Sequence, residues 1–159
     1  MTLPLFDHVV CLIGKLDFHL QDRFTELLAP LGLHPRQFGM LSLLIDRDGL
    51  AQHQLAEPLD VHRTVMVGLV DDLEQRGLVE RRRHPVDRRA HAVHLLPAGR
   101  ELYAQAEAVL NKFEAELLGG LAPDEAKVFG ELLQRVSTAA GLRDITHPDL
   151  QTTTSTKEL

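Results

Sequence analysis

The sequence predicts a mainly α-helical fold carrying one small β-hairpin, and three observations support that expectation. Of 159 residues only 4% are aromatic and none is Trp, while Leu and Ala abound. Such a composition suits helix-on-helix packing better than a sandwich of aromatic and β-branched strands. Apolar residues recur at i, i+3 and i+4 along most of the chain, which is the spacing of one helical face. Between Leu78 and Leu96 the pattern changes to alternation, the period of a strand.

The elements follow in order. From Phe6 to Leu28 the apolar positions Phe6, Val9, Val10, Ile13, Leu16, Leu20, Phe24, Leu27 and Leu28 trace one long helix, which Pro30, Gly32 and Pro35 end. Pro35 suits the first turn of a second helix, expected to turn Phe38, Leu41, Leu44 and Ile45 inward. Gly49 breaks the chain before a short third helix over Gln52 to Leu59, with Leu55, Ala56 and Leu59 apolar and Pro58 shortening it. A fourth helix runs from about His62 to Arg76, buries Met66, Leu69, Val70 and Leu73, and stops at Gly77, a left-handed C-terminal cap. Leu78 to Arg83 and His91 to Leu96 form the hairpin, and the Pro and Asp between them favour its turn. Pro97 opens a fifth helix through about Leu118, and Pro123 a sixth containing Val128, Phe129, Leu132, Leu133 and Val136. Past Gly141 the chain is polar and Thr-rich, and 143–159 is expected to be a disordered tail.

With 44% hydrophobic and 25% charged residues, the chain can bury a core. The single cysteine, Cys11, excludes an internal disulfide and a Cys-rich zinc site. No apolar run approaches about 18 residues, and Met1-Thr2-Leu3-Pro4 lacks the basic start of a secretory leader, so the expectation is a cytoplasmic protein with no membrane partner. The net charge of −6 is polarised: Arg81, Arg82, Arg83, Arg88 and Arg89 face only Asp87, a local +4 that leaves −10 on the rest. A basic strip on an acidic body attracts phosphate in one orientation and repels it in others.

Two short helices with a tight connection, followed by a basic hairpin, have the layout of a winged helix-turn-helix, in which the second helix enters a major groove and the hairpin reaches the neighbouring minor groove. On the fourth helix the buried set leaves Arg63, Thr64, Val67, Gly68 and Asp71 outward. The candidate DNA-contacting residues are Arg36, Gln52, His62, Arg63, Thr64, Val67, Arg82, Arg83, Asp87, Arg88 and Arg89. Arg63 is the foremost base reader, and a carboxylate beside an arginine can hold that side chain in one orientation for a narrow minor groove. Gly68 either permits close approach of the DNA backbone or is merely tolerated by the helix.

Gln54-Leu55-Ala56-Glu57, Val61, Leu69-Val70-Asp71-Asp72-Leu73-Glu74, Gly77-Leu78-Val79 with Arg81, Asp87-Arg88-Arg89, and Leu95-Leu96-Pro97-Ala98-Gly99 together resemble the multiple-antibiotic-resistance regulator (MarR) family over roughly residues 35 to 120. The pattern departs from the family's usual one at Pro58, His62, Gly68 and Pro97. The resemblance implies a homodimeric transcriptional regulator, most often a repressor, that binds pseudo-palindromic operators and is released by small, often phenolic, ligands or by oxidation. It also implies that Asp87 orients Arg89 into the minor groove.

This gives four segments: 1–34, an N-terminal dimerisation helix; 35–97, the winged helix-turn-helix; 98–142, C-terminal dimerisation helices; and the tail. The first, fifth and sixth helices each carry an apolar face that one small monomer does not easily hide, so pairing across a twofold axis is expected. Lys15 and His19 lie one helical turn apart and would suit a small aromatic acid as effector, or else are ordinary solvent-facing residues. Some members of the family it resembles carry a redox-active cysteine near the start of the first helix and Cys11 is similarly placed, yet its apolar neighbours favour an inert, buried thiol. His91 and His94 point to opposite strand faces and His8 with Cys11 offers two ligands only, so neither a metal nor another cofactor is expected. There is no GxSxG, GxxxxGK[ST], HExxH or post-strand GxGxxG, and no enzyme is expected. The competing readings are a winged-helix module that binds an acidic protein and a thiol-based sensor acting through Cys11.

Overall fold

A computed structural model describes Pro4 and residues 7–84 and 90–142. The expected hairpin tip with Asp87, Arg88 and Arg89, the expected start of the first helix at Phe6, and the 143–159 tail lie outside the described residues. The order is α1 (Val9–Leu28), a short 3-10 turn (Ala29–Leu31), α2 (Pro35–Asp46), β1 (Leu50–Ala51), α3 (Gln52–Ala56), α4 (Arg63–Gln75), β2 (Val79–Arg83), β3 (His91–Leu95), α5 (Pro97–Leu117) and α6 (Pro123–Ala139). Six helices and two paired strands form in the expected order, but α1 begins at Val9, after Asp7 and His8, and so later than the expected Phe6.

The boundaries are set by local chemistry. His34 caps α2: its ring Nδ1 accepts the Arg36 amide at 3.1 Å, and the Gln37 side-chain oxygen accepts the His34 amide at 3.0 Å, satisfying donors the helix leaves open. His62 caps α4 in the same way, accepting the Thr64 amide at 3.3 Å. At the other end of α4, Gly77 takes φ +69° and the Leu78 amide bonds back to the Leu73 carbonyl at 2.9 Å, closing the helix as a left-handed cap. The helix α3 ends at Ala56 rather than Leu59. Pro58 has no amide to extend the ladder, and the chain turns through Asp60 at φ +48°.

The sheet is antiparallel in the order β1-β3-β2, with Val79 opposite Leu95 and Arg83 opposite His91. Strand β1, two residues that pair with Ala92 and Val93, is too short to leave an alternating pattern and runs straight into α3. Asp48 anchors this edge. Its Oδ1 accepts the Leu95 amide at 2.7 Å, and its Oδ2 lies 2.9 Å from His94 Nδ1. Burial alone would raise its pKa, but the Leu95 amide, the His94 ring and the Arg100 charge together hold the Asp48 carboxyl below its usual value. A carboxyl with a lowered folded-state pKa stabilises fully above its unfolded pKa and ceases to as pH falls through the folded one. Asp48→Asn is therefore expected to cost about 1 kcal/mol at neutral pH, and progressively less below about pH 4. Thermal melts at neutral and acid pH measure this, and a deficit independent of pH would contradict it.

The core is shared by α2, α3, α4 and the sheet, with Leu41, Leu44, Leu55, Met66, Val70, Leu73, Val79 and Val93 fully buried. The inward face of α2 differs from expectation. Met40 and Leu43 are buried, while Ile45 is 38% exposed and the polar Gln37 only 5% exposed. Gln37 is tolerated there because its Nε2 donates to Asp72 at 2.7 Å. Arg76 completes this link, donating to the Gly32 carbonyl at 2.7 Å and contacting Asp72 at 3.4 Å. The α1–α2 turn is thereby tied to α4.

Phe38 stacks on Tyr103 with centroids 5.3 Å apart and meets Phe24 edge-on at 5.9 Å, joining α2 to α5 and α1. Helix α5 also buries Ala106 and packs Leu102 on the core, whereas α1 and α6 are largely exposed. In α1 only Leu28 is fully buried, and Val9 and Val10 are 68% and 80% exposed. The helix α6 buries none of its residues and leaves Val128, Phe129, Leu132, Leu133 and Val136 in solvent.

Candidate nucleic-acid interface

The buried stripe of α4 turns the opposite face outward, and Arg63, Thr64, Val67, Gly68 and Asp71 are all exposed, as the 3.6-residue period requires. His62 sits at the head of this helix, and accepting the Thr64 amide through Nδ1 leaves its Nε2 on the other side of the ring. Gly68 has open space where a Cβ would stand, so no packing inside this chain demands a glycine.

The flanking candidates are placed unevenly. Arg36 is exposed in the first turn of α2. Gln52 opens α3, but its Nε2 is shut off from solvent with no hydrogen-bond partner, so that nitrogen faces the protein rather than a groove. On β2, Arg82 and Arg83 are exposed, and Arg82 forms an ion pair with Glu80. Asp87, Arg88 and Arg89 lie outside the described residues.

Arg81 departs from the charge reading that counted it in the basic strip. Its side chain is only 18% exposed, and Nη2 lies 2.5 Å from Asp71 Oδ1 and 3.4 Å from the Val67 carbonyl. Nη1 pairs with Glu74, whose Oε1 also accepts the Arg81 amide at 2.7 Å. One strand residue thus pairs with two acids of α4, offsetting one of their two charges, and ties the hairpin to that helix. Neither this brace nor the Gln37–Asp72–Arg76 link was anticipated from sequence. A signal existed: Asp71, Asp72 and Glu74 crowd the C-terminal half of α4, where the helix dipole disfavours anions unless cations partner them.

The residues considered for sensing stand apart. Lys15 and His19 are exposed on α1, beside neighbours that are exposed as well, so within one chain nothing encloses them. Cys11 is half-buried and free. Among the described residues no three His, Cys, Asp or Glu side chains are grouped so as to hold a metal ion, and no helix is long and apolar enough to cross a membrane.

The sequence profile of the MarR family matches residues 31–90, from the end of the 3-10 turn to the residue before β3. A Thauera aromatica protein described as regulating transcription of the hcr operon is 30% identical over 131 residues, covering 77% of this chain and 79% of its own length. The chain belongs to the MarR family. It is accordingly a DNA-binding transcriptional regulator with a winged-helix fold. Solved MarR-type structures superpose along nearly the whole length. The transcriptional repressor CouR bound to a 23-mer DNA duplex is 30% identical, covers 88% of this chain and 99% of its own, and gives a TM-score of 0.74. CouR from Rhodococcus jostii RHA1 bound to p-coumaroyl-CoA is 26% identical, covers 87% and 96%, and gives 0.72. In this winged-helix fold β2–β3 is the wing.

Proposed function

We propose that this MarR regulator is a homodimeric repressor that binds pseudo-palindromic operator DNA and is released by a small aromatic acid or its acyl thioester. One observation carries the reading: a polar, uncovered face of α4 stands next to exposed arginines of β2, while the apolar faces of α1 and α6 are left in water. The first feature suits a groove, and the second suits a twin chain. Segments 1–34 and 98–142 supply the dimer contact, and 35–97 reads DNA. Across a twofold axis the two copies of α4 stand about 34–36 Å apart, one turn of the duplex.

In this reading Arg63, Thr64 and Val67 face base edges, and Arg36, His62, Arg82 and Arg83 serve the backbone and flanks, while Gln52, with its amide nitrogen turned inward, does not. Arg89, oriented by Asp87 with Arg88 beside it, enters the minor groove. The effector class rests on the p-coumaroyl-CoA bound by CouR and on Lys15 and His19, which a second chain would enclose. The protein acts in the cytoplasm by binding and carries out no chemistry of its own.

The test is fluorescence anisotropy with duplex from the gene's own upstream region. With about 6 to 10 phosphate contacts per dimer, affinity is expected to fall roughly 10³- to 10⁵-fold between 50 and 200 mM salt. An aromatic acid or thioester is expected to raise the melting midpoint and dissociate the complex. A flat salt response would contradict DNA as the partner.

A further inference from the structure

Val67 is an apolar, β-branched residue at the centre of the exposed face of α4, and 39% of it is open to solvent. Such a residue is a poorer helix former than the long polar residues usual at an exposed position, and water gives it nothing to pack on. Its surroundings restrict what it can meet. At about 100° per residue, Val67 falls 40° from Arg63 and on the same flank, one turn further along. That flank faces the wing, because Arg81 of β2 reaches the Val67 carbonyl and Asp71. Val65, equally exposed, lies about 160° away on the opposite flank.

Two further features fit this spot to a base edge. Asp71, the next residue on the Val67 flank, would repel a duplex, but its carboxylate is held by Arg81 at 2.5 Å. Gly68 has nothing within 4 Å of where its Cβ would be, so the helix backbone beside Val67 can come close to a groove floor. Among the base edges of the major groove the apolar feature is the C5-methyl of thymine, which aliphatic side chains read by contact.

We propose that Val67 is a specificity-determining residue that packs on a thymine methyl in each operator half-site, next to the base read by Arg63. The proposal rests on the operator reading above, and its test separates the two. A high-affinity duplex is selected from a randomised library with the wild-type protein, and each symmetric pair of thymines is then replaced in turn by deoxyuridine, which lacks only the methyl.

One pair is expected to weaken wild-type binding roughly 4- to 15-fold, in line with the loss of one buried methyl in each of two half-sites. Val67→Ala is expected to bind the parent duplex more weakly and to be indifferent to that replacement. Val67→Thr, which keeps a methyl, is expected to retain part of the sensitivity, and circular dichroism confirms that both variants fold. If the selected duplex binds tightly but no thymine shows this coupling to position 67, the methyl contact is wrong and the operator reading stands. If no duplex is enriched at all, the operator reading falls and this proposal with it.

Discussion

Arg81→Ala is expected to weaken DNA binding about 10- to 100-fold while leaving a folded protein. The arginine is the partner of two carboxylates of α4, Asp71 and Glu74, and of the Val67 carbonyl. Its removal leaves Asp71, 60% exposed, as an uncompensated anion beside the phosphates, where like charges repel. It also removes the side-chain ties between β2 and α4, leaving the Arg81 amide bond to Glu74, so that the wing is held less firmly against the helix. An exposed ion pair contributes little to folding, and Asp71 is exposed, but the Arg81 side chain is only 18% exposed and multiply bonded, so a stability loss of about 1 kcal/mol accompanies the binding defect. The double variant Arg81→Ala/Asp71→Asn is expected to recover part of the affinity because the repelling charge is gone. Anisotropy titrations of the two variants check this, and undiminished binding by Arg81→Ala would show that the brace has no part in DNA recognition.

The largest stability effect is expected at Gly99, near the start of α5. A Cβ there would stand 2.2 Å from the Leu78 carbonyl oxygen and 2.7 Å from Leu95 Cδ1. The same carbonyl accepts the Leu96 amide at 3.0 Å, so it cannot withdraw without breaking the bond that ties the entry of β2 to the β3–α5 connection. Gly99→Ala should therefore destabilise the fold by roughly 3–4 kcal/mol, lowering the melting midpoint by on the order of 10 °C. Gly68→Ala is the contrasting control. With open space around it, the substitution should stabilise α4 by about 1 kcal/mol, and yet it should weaken DNA binding because the new methyl occupies the approach to the groove. A Gly99→Ala protein that melts like the wild type would mean that α5 does not start against Leu78 as described.

What could be read from sequence and what could not divide along a physical line. Helices α1, α2, α4, α5 and α6 announced themselves because each repeats apolar residues at the helical period over three or more turns. The β2–β3 hairpin did so by changing that period. The outward set of α4 followed from the same arithmetic, since naming Met66, Val70 and Leu73 as buried leaves Arg63, Thr64 and Val67 no other place.

Features that join residues far apart in the chain were hidden. Gln37 is buried because Asp72, 35 positions away, accepts its amide, and no local pattern reports this. Ile45 looked like a core residue but stands beyond the reach of the layer that covers Leu41 and Leu44. Arg81 counted as part of a basic strip until its partners on α4 were seen. Strand β1 was missed because two residues cannot display a period of two. Arg63, Thr64 and Val67 were legible as candidates on one face, whereas the uncovered surfaces of α1 and α6 have meaning only for a second chain, which one sequence does not display.

Sedimentation equilibrium of the purified chain, free and with duplex from its upstream region, tests the central claim most directly. The account predicts twice the chain mass in the free state and the same dimer on one duplex, with a scrambled duplex left unbound at physiological salt. A monomer that binds native and scrambled duplexes alike would contradict it.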